Sequence, residues 1–186
     1  MYFIEKMAQI IGITGKKNSG KDTIGNYLVE KYGYKRLAFA DPLKEACRSI
    51  FSFTDAQLYH DKKEEIDEYW NESPRKIFQI IGTDLLRNKF MKNIWIAALK
   101  KKIMDEFKKN PNQKIVITDI RFENENNLIK ELNGIIIRVN RYTSNINVDL
   151  HESEQMIDNL VVDYEINNNS TKEILFDCVE KLVFPP

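Results

Sequence analysis

Residues 15–23 read Gly15-Lys16-Lys17-Asn18-Ser19-Gly20-Lys21-Asp22-Thr23, directly after the apolar run Ile10-Ile11-Gly12-Ile13. Glycines at 15 and 20 let the backbone curl so that N–H groups of the intervening Lys17, Asn18 and Ser19 face inward on an anion. The helix that follows adds its positive end, and Lys21 adds a mobile cation for β- and γ-phosphates. The chemistry implied is capture of a nucleotide polyphosphate. Asp22 stands where a Ser or Thr usually follows the lysine, with Thr23 next. That hydroxyl ordinarily ligates Mg²⁺, so either the Asp22 carboxylate or Thr23 takes the role, and the sequence leaves both open.

Other chemistry-bearing residues recur at the ends of apolar runs. Asp119 opens Asp119-Ile120-Arg121-Phe122-Glu123-Asn124-Glu125 after the strand-like Ile115-Val116-Ile117. A carboxylate there can position Mg²⁺ or its waters beside the loop; its structural alternative is a helix cap. Arg121 can grip a phosphate with two parallel hydrogen bonds, or form a surface ion pair. Asp41 and Lys44 follow the second strand and suit an acceptor phosphate, or else a cap and a solvated lysine. Arg75 and Arg87 bracket a charged helical stretch, and guanidinium forks suit a monophosphate better than ammonium does; each can equally be a surface charge. Trp95 can stack on a base, although Ile94, Ile96 and Leu99 around it suit a core. Arg138 and Arg141 border a polar segment running to His151 and Glu154, a candidate lid that would exclude water from a charged transition state. With His60 and His151 the sole histidines, no catalytic triad or histidine metal cluster can be assembled.

The elements that must position these groups alternate. A strand at 8–13, a helix at 21–32, a strand at 36–39 and a helix after Asp41-Pro42 come first, the last with Leu43, Ala46, Cys47, Ile50 and Phe51 on one face. Residues 54–92 read as mostly helical and highly charged, with Asp61–Glu68 a solvated face and Ser73-Pro74 starting a helix through Ile81. A helix at 93–109, a strand at 114–118, a helix at 123–133 and a strand at 135–139 follow. Beyond the polar stretch 140–150 come a short helix at 152–158, a strand at 161–166 and a helix at 171–183. The predicted fold is α/β, a parallel sheet covered by helices on both faces, with ligands at the strand carboxyl ends.

At 186 residues one domain is expected. Lysine plus arginine and aspartate plus glutamate number 28 each, so no net charge draws the chain to nucleic acid or membrane. No apolar run approaches the roughly 18 residues a membrane span needs, and the first residues lack a secretory signal pattern. Cys47 and Cys178 lack metal-ligand spacing and read as packed, reduced thiols, which suits a cytoplasmic location.

Taken together, these blocks resemble the phage-type deoxynucleoside monophosphate kinases. The Gly20-Lys21-Asp22-Thr23 ending of the loop is similar to theirs, as are Phe39–Lys44, Ser73–Arg87, Asp119–Glu125 and His151–Glu154 in the same order, over about residues 8 to 183. The resemblance implies a P-loop kinase of the nucleoside-monophosphate-kinase type, with a helical substrate insert at about 42–110 and a lid at about 139–155. It implies ATP and Mg²⁺, a deoxynucleoside monophosphate acceptor, a homodimer, and nucleotide supply for DNA synthesis in the cytoplasm, the host's where the chain is viral. Carried over by residue, the loop and Lys21 hold ATP. Asp41, Lys44, Arg75 and Arg87 become candidates for the acceptor site, and Arg121, Arg138 and Arg141 candidates for phosphate contacts; beside these, Trp95 and Glu154 are read as further acceptor candidates and Asp119 as a catalytic and metal-positioning one. Ile166-Asn167-Asn168-Asn169-Ser170 is similar to the adenine-side loop of related kinases, with Asn168 as the contact and Ser170 where those loops have glycine. Rival readings are another P-loop small-molecule kinase, such as a dephospho-coenzyme A kinase, and a nucleotide-dependent switch. The switch lacks a guanine-reading Asn-Lys-x-Asp, since Asn88-Lys89 continues as Phe90-Met91.

Overall fold

The computed structural model describes residues 9–142 and 156–184. Five strands are present among them: β1 (Ile10–Thr14), β2 (Lys35–Leu37), β3 (Ile115–Ile120), β4 (Ile135–Asn140) and β5 (Tyr164–Asn167). They form one sheet in the order β2-β3-β1-β4-β5, every neighbouring pair parallel. The helices are α1 (Lys21–Tyr32), α2 (Asp41–Phe51), α3 (Asp55–Tyr59), α4 (Pro74–Gln79), α5 (Ile94–Lys109), α6 (Glu123–Glu131) and α7 (Lys172–Val183). None is long and apolar enough to cross a membrane.

The chain divides into two compact units, one of Met1–Ala38 with Lys100–Pro186, the other of Phe39–Leu99. The first holds the sheet. β1 and β3 are apolar along most of their length and buried on both faces, as parallel strands under helices must be. Ile11 and Ile13 face one side with Val116, Ile137 and Val139, where Ile24 and Leu28 of α1 and Leu175, Val179 and Val183 of α7 cover them. The alternate side carries Gly12, where a Cβ would meet Ile129 of α6 at 3.4 Å and Ile120 at 2.4 Å. The connection leaving β1 therefore crosses one face and the connection leaving β3 crosses the other. Two adjacent strands whose chains part in this way open a crevice at their carboxyl ends, the usual ligand position in such sheets.

α1 spans its predicted bounds, stopped by Gly33 in the left-handed region (φ 68°) with its N–H on the Leu28 and Val29 carbonyls. The β3 ladder runs past Asp119 to Ile120, and the last strand is shorter than the expected 161–166, starting only at Tyr164. A single 3₁₀ turn at Met156–Asn159 overlaps the end of the helix expected at 152–158, the rest of which lies outside the described residues.

The second unit is helical. Ser73 caps α4, its hydroxyl accepting the Lys76 N–H at 3.3 Å, with Pro74 in the first turn. From Ile80 to Phe90 the helix widens to π geometry, which hydropathy spacing does not announce. Trp95 is buried, and its indole N–H donates to the Gly82 carbonyl at 2.8 Å. α2 buries Leu43 and Cys47, but Ala46 and Ile50 of the expected apolar face are exposed. The covered stripe is the i, i+4, i+8 row of buried Leu43 and Cys47 with half-buried Phe51, and Ala46 and Ile50 lie outside it.

Candidate functional site: a phosphate loop and its supports

The segment between β1 and α1 is turned by three residues with positive φ: Gly15 (143°), Asn18 (63°) and Gly20 (107°). Glycine suits the outer two, and asparagine is among the side chains that tolerate the middle conformation. The bend is braced from inside, since Ser19 N–H donates to the Lys16 carbonyl at 3.2 Å and Lys21 Nζ reaches back to the same carbonyl at 2.7 Å. Lys16 is held outward by Asp158, Nζ to Oδ2 2.7 Å. α1 starts from Gly20 with no side chain capping it, so no capping side chain competes with an anion at the positive helix end. Ser19 Oγ is buried with no hydrogen-bond partner. A buried hydroxyl left so is costly unless something else satisfies it.

Two neighbours shape the loop. A Cβ on Gly15 would lie 2.4 Å from the Val139 carbonyl of β4, and one on Gly20 would lie 2.4 Å from Asn168 Nδ2. That amide donates to the Ser19 carbonyl at 2.8 Å. On the other flank, Thr14 Oγ1 donates to the Ile120 carbonyl at 2.8 Å, both residues buried, fixing the β1 end against the β3 end that carries Asp119 and Arg121. The sequence reading places these carboxyl ends together, and here the loop, Asp119 and Arg121 fall at adjacent strand ends.

Arg121 is positioned through its backbone. Its N–H donates to Glu125 Oε2 at 2.9 Å, and the Phe122 N–H reaches the same oxygen at 3.3 Å. Glu125 is only 2 % exposed. The sequence reading missed this lock, although a Glu three residues after a helix entry is its signal. Asp22, at the exposed start of α1, has the Arg36 guanidinium 3.9 Å away.

The two arginines beside the expected lid differ. Arg138, in β4 opposite Thr14, pairs with Glu165 at 2.9 Å and donates to the Leu160 and Ile157 carbonyls. Its guanidinium thus stitches β4 to β5 and to the turn before it. Arg141 is exposed beyond the strand. Residues 143–155, with His151 and Glu154 and most of the expected lid, lie outside the described residues.

In the helical unit, Asp41 and Lys44 sit in the first turn of α2, and Lys44 Nζ lies 4.5 Å over the Tyr59 ring. Burial, with the Glu45 hydrogen bond second, pushes the Tyr59 phenol up to about 12, so it remains a neutral ring. Arg75, in α4, lies 3.6 Å from Glu64, and Arg87 is buried in the π-helical stretch. A Cβ on Gly82 would approach Leu43 to 2.5 Å, so the α2 start and the start of that stretch are in contact. Cys47 is buried and Cys178 half-buried, and both are free thiols.

The sequence matches a family model described as deoxynucleotide monophosphate kinase over residues 9–63 and 48–179. It is 37 % identical over 187 residues to a protein of Acanthamoeba polyphaga mimivirus provisionally named a deoxynucleotide monophosphate kinase, covering 92 % of this chain and 96 % of that one. Identity to the deoxynucleoside-5'-monophosphate kinase of Escherichia phage T5 is 23 % over 190 residues, 69 % of this chain and 74 % of that one. Among solved structures, one from Thermus thermophilus superposes with a TM-score of 0.53 at 17 % identity, covering 97 % of this chain and all (100 %) of that one, a likeness of fold.

Proposed function

The chain belongs to the deoxynucleotide monophosphate kinase family, and from that premise we propose that it transfers the terminal phosphoryl group of ATP to a deoxynucleoside monophosphate, giving two diphosphates. The observation that carries the donor half is the loop after β1. It is held open by three positive-φ residues, leads into a helix start that no side chain caps, and is spanned by Lys21.

The reaction needs no covalent enzyme intermediate. An anionic oxygen of the acceptor monophosphate forms the new bond to the γ-phosphorus while the bond from that phosphorus to the β–γ bridging oxygen breaks. Because the attacking oxygen is already charged, no strong general base is required, and positioning with charge neutralisation supplies most of the rate. Gly15, Lys17, Asn18 and Gly20 donate backbone N–H groups to the polyphosphate, Ser19 offers its buried hydroxyl while its N–H braces the bend, and Lys21 neutralises the β- and γ-oxygens. Arg121, its backbone fixed by Glu125, is proposed to offer a fork to the transferred group, with Arg138 and Arg141 as further candidates. Asp41, Lys44, Arg75 and Arg87 of the helical unit are proposed to bind the acceptor, with Glu154 a further candidate. Trp95, whose indole N–H holds the Gly82 carbonyl, is proposed to support the π-helical stretch that carries Arg87.

Mg²⁺ fits the donor set. Asp22, Thr23 and Asp119 offer hard oxygens at or beside the loop, and among the described residues no three metal-binding side chains gather into a cage. Mg²⁺ at nucleotides ordinarily takes one or two protein oxygens and completes its shell with phosphate and water. Held by Asp22 or Thr23 and by Asp119, it would neutralise phosphate charge as the group is transferred. The proposal extends to a homodimer working in the cytoplasm in deoxynucleotide supply, in an infected cell where the chain is viral. The viral source of both named relatives supports that setting.

ADP release measured across the deoxy- and ribonucleoside monophosphates, with dephospho-coenzyme A in the same panel, tests this reading. Turnover with one or more deoxynucleotides is the expected result. Turnover with dephospho-coenzyme A alone, or with no acceptor, would overturn it.

A further inference from the structure

Asn168 lies just past β5, and its place is set from both ends. Its backbone N–H donates to the Asn140 carbonyl at the end of β4 at 2.7 Å, and the next residue, Asn169, accepts the Tyr142 N–H on Oδ1 at 2.8 Å. From this fixed base the side-chain amide reaches the phosphate loop and donates to the Ser19 carbonyl at 2.8 Å. The approach is so close that any Cβ on Gly20 would lie 2.4 Å from the Asn168 nitrogen. Gly20 is therefore required by this contact as well as by its positive φ.

A peptide unit is planar and trans, so its C=O and N–H point in opposite directions. Tying the Ser19 carbonyl to Asn168 turns the N–H of Gly20 away from Asn168 and fixes the orientation of the whole unit. A loop that binds anions through backbone donors depends on such orientations, because a flipped peptide presents its carbonyl oxygen to the phosphate in place of its N–H. We propose that Asn168 is a positioning residue for the phosphate loop, acting through the Ser19–Gly20 peptide and not by contact with a nucleotide base. The inference rests on the donor-site reading above, and it assigns the β5 end a role in holding phosphate.

Calorimetric titration with two probes, ATP and inorganic tripolyphosphate, separates the possibilities, because the second has no base or sugar. Wild-type protein, Lys21→Ala, Asn168→Ala and Asn168→Asp are compared well below their melting midpoints, with circular dichroism confirming the fold of each. Asn168→Ala should weaken both probes by the same factor, about five- to tenfold for the loss of one hydrogen bond. Asn168→Asp keeps the shape, loses the donor and sets a carboxylate against the Ser19 carbonyl, so it should weaken both further. It also serves if the alanine variant does not fold. Loss of ATP affinity with tripolyphosphate unchanged would mean a base contact and overturn the proposal, as would no loss for either probe. Wild-type protein that fails to bind tripolyphosphate, or binds it no better than Lys21→Ala does, would overturn the phosphate-loop reading itself and this inference with it.

Discussion

Glu125 Oε2 accepts the backbone N–H of Arg121 at 2.9 Å from a carboxylate that is 2 % exposed. A buried carboxylate survives only where donors meet it; here the N–H groups of residues 121 and 122 do so, at the entry to α6. Glu125→Ala should therefore destabilise the protein by about 1–3 kcal/mol, the range for a helix-entry cap and charged hydrogen bond lost together, read from urea unfolding. It should also lower turnover by freeing the segment that carries Arg121. Unchanged unfolding would mean that the lock contributes nothing.

Lys21 bridges the loop to the Lys16 carbonyl and contributes nothing to the apolar core. Lys21→Ala should keep the circular dichroism spectrum and lower turnover by about a hundredfold or more, the scale for removing one transition-state charge partner. A folded variant at the wild-type rate would sink the assignment of this loop to the donor nucleotide.

Much of this was legible beforehand, and the reasons are local. The loop, the α1 start and the Gly33 stop each depend on residues adjacent in sequence, so backbone chemistry alone places them. Asp119 and Arg121 follow from an apolar run that ends abruptly. The π-helical stretch at Ile80–Phe90 was not legible, because its wider turn leaves no distinctive apolar spacing in Ile80-Ile81-Gly82-Thr83-Asp84. The exposure of Ile50 was missed because periodicity marks an apolar face without saying how much of it a neighbour covers. The hydrogen bond from Asn168 to Ser19 joins residues 149 apart in sequence, which spacing cannot reveal.

Arg138 and Arg141, alike in sequence, should behave differently. The Arg138 side chain is 14 % exposed and holds Glu165 and two backbone carbonyls. Arg138→Ala should lose about 1–3 kcal/mol of stability, because buried acceptors lose a charged donor. Arg141→Ala should leave the urea midpoint unchanged while lowering kcat. Stability loss at 141 with none at 138 would reverse the assignment.

Glu180 of α7 accepts from Lys31, Tyr27 and Tyr32 of α1. The Lys31 hydrogen bond first, then the two phenols, hold its carboxyl at about 2, against 4.5 for an ordinary glutamate. A carboxyl with a lowered folded-state value stabilises fully above the unfolded value and loses that contribution as pH falls toward the folded one. The wild-type advantage over Glu180→Gln in urea midpoint should thus hold from neutral pH to about 4.5 and shrink between 4.5 and 2. An advantage independent of pH across that window would mean that the ionised carboxylate is not what joins the helices.

Trp95 offers the clearest choice between packing and recognition. Its ring is 8 % exposed and its N–H donates to the Gly82 carbonyl at 2.8 Å, where the helix widens before Arg87. Phenylalanine keeps an aromatic face but cannot donate. If Trp95 supports the π-helical stretch, Trp95→Phe should cost about 1 kcal/mol in unfolding and scale KM for every accepted monophosphate by one common factor. If the indole stacks on the acceptor base, unfolding should change little while KM shifts unequally between purine and pyrimidine acceptors. The engaged N–H and the burial favour the first outcome, and steady-state kinetics over the accepted bases, paired with urea unfolding, separates the two.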